Sequence, residues 1–90
     1  VRIEDGGIQH LGALTHPYPE ELRRDLHRTI LPQARLDLAT FSRLHVEVGA
    51  SFAEAVGSLL TCTGTSASQI AAIGSHGQTV YHAPLGAHPY

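Results

Sequence analysis

Phe41, Leu44, Val48, Phe52, Ala55 and Leu59 recur at spacings of three and four, while Arg43, Glu47, Glu54 and Ser58 fall on the opposite side. One apolar stripe on a polar cylinder predicts a long, half-buried helix. Asp37 is a candidate cap for its start, and Gly64 can end it in the left-handed conformation. Ser66 with Gln69 then has the spacing of a capping box for one short turn. Across the stripe runs a row of small residues, Gly49, Ala53 and Gly57. A glycine inside a helix costs about 1 kcal/mol relative to alanine, which the close approach of another backbone would offset; two tolerated glycines account for the row equally well.

Upstream, Pro19 followed by Glu20 and Glu21 predicts a shorter helix, with proline fixing φ at its first position and acids at the positive end of the macrodipole. Leu22, Leu26 and Ile30 form its stripe and Pro32 its stop. Before it, apolar runs at 1–4 and 8–14 flank "DGG" at 5–7, which predicts a β-hairpin ended by "THPYP". After the long helix, "IAAI" at 70–73 neither alternates nor carries a polar group, and so predicts a strand buried on both faces. Strand propensity returns at 79–82, and no internal repeat is visible.

Composition narrows the function. Ninety residues with 42% hydrophobic content suit one small domain, and a net charge of −2 offers no attraction to nucleic acid or an anionic membrane. All six cations are arginine, so neither a phosphate-gripping lysine nor a Schiff-base lysine is available. The single Cys62 cannot form an internal disulfide, and no signal peptide or apolar run of spanning length occurs, which points to the cytoplasm. Cys62 itself reads as a small buried hydrophobe near a helix end. Beyond Glu54 there is no arginine, aspartate or glutamate, so we expect this tail to run into a core. The first residue is not methionine and the last residues carry no terminating signal, which leads us to expect one partial domain, 1–90, cut from a longer chain.

The polar residues of interest cluster at 73–79, "IGSHGQT", directly after the expected strand. Strand ends in open α/β sheets deliver side chains to a ligand crevice. Gly74 and Gly77 would let the backbone turn or approach a ligand, and Ser75, His76, Gln78 and Thr79 supply donors and acceptors without fixed charge. That set suits a neutral polyol or sugar; a polar turn that satisfies its own backbone is the plainer alternative. A nucleophile elbow needs a residue between glycine and serine, and Gly74 abuts Ser75. His76, His82 and His88 are six apart, which matches no compact zinc pattern. His10, His16, His27 and His45 read as surface or half-buried residues, and Asp5, Asp25 and Asp37 as turn, helix-face and cap residues rather than a general base.

The stretch "IGSHGQTVYHAP" at 73–84 resembles the hallmark of the anhydro-N-acetylmuramic acid kinases of bacterial cell-wall recycling. "YPEELRRDL" is similar to that family's first helix, "LHVEVGASFAEAVGSLL" to its second, and "TSASQIAAIGSHGQT" to its lead into the motif, so the resemblance covers roughly residues 15–84. It implies an α/β fold: part of an actin-like, hexokinase-like ATPase lobe, with a β-hairpin followed by two helices and a buried strand. It also implies ATP and Mg2+ as cofactors and a small amino-sugar substrate. The implied reaction opens the 1,6-anhydro ring with water, under an aspartate base, and phosphorylates the freed 6-hydroxyl to give N-acetylmuramic acid 6-phosphate.

The family's glycine-, serine- and threonine-rich phosphate loop and its catalytic aspartate beside a Gly-Pro-Gly-Asn turn do not occur in these residues. The resemblance therefore implies an internal piece of the N-terminal lobe, inactive alone, with Ser75, His76, Gln78 and Thr79 shaping the sugar side of the cleft and the base elsewhere. His76 would either orient a substrate hydroxyl or hold its loop by a backbone hydrogen bond. No nucleic-acid or membrane partner is expected, and the full-length enzyme could be a homo-oligomer. The competing reading is a small non-catalytic α+β module that binds or self-associates through Gly49, Ala53 and Gly57.

Overall fold

A computed structural model of the chain describes residues 1–31 and 35–77. Two short strands, β1 (Arg2–Glu4) and β2 (Gly7–Gln9), pair antiparallel with Ile3 opposite Ile8. Gly7, at φ 134°, closes the turn in a conformation that side-chain-bearing residues rarely adopt. The hairpin is as expected but shorter, because pairing stops at Gln9. Ile3 and Ile8 are both about three-quarters exposed, so the hairpin adds nothing to the core.

Helix α1 (Glu20–Thr29) starts after Pro19, which stands just outside the helix, with the Arg23 N–H closing the first turn on the Pro19 carbonyl at 2.9 Å. Its buried residues are Leu22 and Leu26. Ile30, expected on the same stripe, is the C-terminal cap residue and is 58% exposed, because the chain leaves the helix there. The expected stop, Pro32, lies outside the described residues.

Helix α2 (Leu38–Thr63) is the long helix of the periodicity. The Asp37 side chain accepts from the Thr40 N–H at 2.7 Å and so satisfies one of the donors that every helix start leaves unpaired. At the other end Gly64 adopts φ 64°, ψ 28°, and the Thr65 N–H reaches back to the Leu60 carbonyl at 3.0 Å. The capping box of Ser66 and Gln69 is formed and opens a single 3-10 turn, Ala67–Gln69.

The two helices pack through Leu22 and Leu26 of α1 and Leu44 of α2, with Tyr18 and Val48 against them. Tyr18 also stacks on Phe52, ring centroids 6.4 Å apart. Ser51 is 4% exposed in the groove between the helices, where a small side chain permits their approach. Periodicity in apolar residues alone could not place it on the buried face. Arg43 pins the seam from outside: it donates to Glu47 on its own helix at 2.9 Å and to Asp25 of α1 at 3.1 Å. Hydrogen bonds to Glu47 and then Asp25 hold its guanidinium firmly protonated.

Three expectations are corrected here. Residues 70–73 form no strand, and Ile70 and Ile73 are 38% and 65% exposed. A strand buried on both faces needs ladder partners and covering layers, and the only strands among the described residues are already paired with each other. The tail from 70 to 77 is accordingly exposed throughout rather than embedded in a core. Cys62 is exposed as well, because the segment that covers this end of α2 lies on its Leu59 and Thr63 side, at Gly12.

Among the described residues nothing approaches the glycines of the small-residue row on α2: a Cβ added at Gly49 or Gly57 would have no neighbour within 4 Å. The closely packed glycine is Gly12, where an added Cβ would stand 2.6 Å from Thr63 Cγ2. Among the described residues no helix is long and apolar enough to cross a membrane.

Candidate functional site

Beyond the 3-10 turn the chain runs back alongside α2, and Ser75, His76 and Gly77 form one wall of a cleft of about 310 Å³. Phe41, Leu44, Val48 and Phe52 of α2 line the other side, with Leu26 and Leu36 at the margin. The helix presents these side chains together because 41, 44, 48 and 52 repeat at its own period. Phe41, left 49% exposed by the packing of α1, is thereby a cleft residue rather than a core residue.

His76 Nδ1 lies 3.0 Å from the Gly77 carbonyl oxygen. With its proton on Nδ1 the ring donates to that carbonyl, which leaves the Nε2 lone pair as an acceptor on an exposed side chain. The backbone bond, one of the two roles open to His76, is present, and it occupies only one of the two ring nitrogens. Neither Gly74 nor Gly77 has a positive φ, and a Cβ at either would meet none of the described residues within 4 Å. Gln78 and Thr79 lie outside the described residues.

One residue of the lining was not anticipated. His45, one helical turn after Phe41, faces the same cleft as His76. Nothing in the sequence distinguishes it from the other scattered histidines; only the return of 75–77 onto α2 brings the two imidazoles to one cavity. Among the described residues no acid and no arginine lines the cleft. The acids nearest the helices are otherwise engaged: Asp25 accepts from Arg28 and Arg43, and Asp37 holds the helix start.

The described residues do not build a phosphate cradle. There is no lysine, the positive-φ glycines are Gly7 in the hairpin turn and Gly64 at a helix end, and no group of three histidine, cysteine or acidic side chains converges.

A family model described as anhydro-N-acetylmuramic acid kinase matches residues 1–90. Three curated relatives carry the same name. The protein of Saccharophagus degradans is 43% identical over 76 residues, covering 84% of this chain and 20% of its own length. That of Vibrio vulnificus is 44% identical over 90 residues, covering 100% and 24%. That of Photobacterium profundum is 42% identical over 84 residues, covering 93% and 22%. The chain thus spans about a fifth to a quarter of the length of these relatives. No solved structure matches it. With a family match over every residue and more than 40% identity to relatives of one name, the chain belongs to the anhydro-N-acetylmuramic acid kinase family.

Proposed function

We propose that this chain is part of the N-terminal lobe of a cytoplasmic kinase of the actin-like, hexokinase-like kind. It opens 1,6-anhydro-N-acetylmuramic acid and phosphorylates it to N-acetylmuramic acid 6-phosphate in cell-wall recycling. The observation that carries this is the coincidence of the family match with the position of Ser75 and His76: the motif stands at the wall of a cleft with an apolar floor and an uncharged polar rim. An apolar floor suits the C–H faces and methyl groups of a sugar, and a few directed polar groups fix its orientation. His76 Nε2 is free to accept from a sugar hydroxyl while Nδ1 holds the loop. Ser75 adds a hydroxyl to the same wall, and the family resemblance assigns Gln78 and Thr79 to substrate binding as well.

The catalytic base and the contacts to ATP and Mg2+ belong to parts of the kinase beyond these residues. Each aspartate here already has a structural role, in a turn, an arginine pair or a helix cap. The self-association module has no comparable support.

The test is kinetic, in the full-length protein that carries this chain. His76→Ala and Gln78→Ala should each raise KM for the anhydro sugar or lower kcat, with unchanged melting temperature. Unchanged kinetics in both variants would remove the motif from the sugar site.

A further inference from the structure

The family name specifies a sugar that carries both an N-acetyl group and a carboxylic acid. Ser75 and His76 account for hydroxyl recognition, yet nothing so far addresses the carboxylate. The cleft itself offers an answer. Among the described residues its ionisable side chains are two histidines, and no acid lines it to repel an anion. His76 is committed through Nδ1 to the Gly77 carbonyl, so in its neutral form it has no N–H left for a carboxylate. His45 makes no hydrogen bond with the described residues and stands exposed on the helical wall. One turn further along, Gly49 lines the same cleft, and the space where its Cβ would be is empty. A ring lying against α2 at Gly49 would therefore present its substituents to the side chain four residues earlier.

We propose that His45 is a substrate-binding residue that donates a hydrogen bond to the carboxylate of the sugar acid, with Gly49 leaving the helix surface bare for the ring beside it. The assignment rests on the reading that this cleft takes the sugar. It divides the labour between two similar side chains by their surroundings: His76 accepts from a hydroxyl and His45 donates to the acid.

Both parts are tested in the full-length protein with two ligands, the anhydro sugar acid and its carboxamide. His45→Leu, on an exposed position, should raise KM for the acid roughly tenfold or more and KM for the carboxamide by distinctly less, because a hydrogen bond to a charged group is worth more than a neutral one. His45→Gln, which keeps a donor, should recover part of the loss. Gly49→Ala should raise the melting temperature and weaken binding of both ligands, since the methyl stabilises the helix and fills the space beside it. An equal shift for acid and carboxamide in His45→Leu, or no shift for either, overturns the assignment. If His76→Ala and Gln78→Ala still impair the enzyme in that case, the sugar cleft stands and only the role of His45 falls. If they too are silent, the cleft reading itself has failed.

Discussion

Gly12 and Thr63 touch so closely that a single methyl group on Gly12 would stand 2.6 Å from Thr63 Cγ2. Thr63 cannot easily turn aside, because its hydroxyl bonds the Leu59 carbonyl at 2.9 Å and the Thr65 hydroxyl at 3.0 Å. The segment after the hairpin is thus seated on the C-terminal end of α2 by the absence of a side chain. Gly12→Ala should destabilise the protein by about 1–3 kcal/mol, the usual cost of overpacking. Combining it with Thr63→Ser, which deletes the obstructing methyl and keeps the hydroxyl, should restore most of the loss in thermal melts. Additive losses in the double variant would contradict the contact.

Asp37 gives α2 a pH dependence of defined sign. Hydrogen bonding from Thr40, first through its side chain and then its backbone N–H, holds the Asp37 carboxyl below its ordinary value of 3.8. A lowered folded-state value means that the cap stabilises the helix fully above pH 3.8 and loses that contribution as pH falls through the lower, folded value. Far-UV circular dichroism should therefore report helix loss only on acidification below that point. Asp37→Asn, which still caps but does not titrate, should shrink this transition without abolishing it. Glu20, held low mainly by its hydrogen bond from Arg23, titrates in the same direction at the start of α1.

Leu44 and Phe41 share one helical stripe but should respond oppositely to truncation. Leu44 is 3% exposed between the helices, so Leu44→Ala should cost about 2 kcal/mol or more. Phe41, 49% exposed on the cleft, should lose little stability as alanine and instead raise KM for the sugar. Melting curves and steady-state kinetics on the same two variants separate the roles. A large stability loss in Phe41→Ala would move that ring into the core.

Residues 1–90 expressed alone should not turn over the sugar in a coupled ATPase assay. They should bind a hydrophobic dye and scatter light on heating, because Ile3, Ile8, Leu38 and Ile73 leave wide apolar surface exposed. Sustained turnover, or a monomeric chain with a sharp cooperative melt and no dye binding, would contradict the lobe reading.

The local features were legible in the sequence because each depends on residues close along the chain. Asp37 before Thr40, Gly64 after the last apolar position and Ser66 with Gln69 all formed as read. So did the Asp5–Gly7 turn. The motif at 73–79 likewise carried the family, which the match over residues 1–90 bears out. The misreadings share a cause. The apolar character of "IAAI" and Cys62 points to burial, but burial needs a partner surface, and the described residues provide none at either place.

By itself, then, the sequence determined the helices, their caps, the hairpin and the kinase family, since propensity, capping and motif identity are properties of neighbouring residues. Tertiary structure alone decided that Ser51 rather than Phe41 lies between the helices, and that among the described residues Gly12 is the glycine under steric demand. It alone also decided that His45 and His76 share a cleft. Their meeting depends on how the chain folds back across α2, a relation between residues 31 positions apart (76 − 45) that no local pattern encodes.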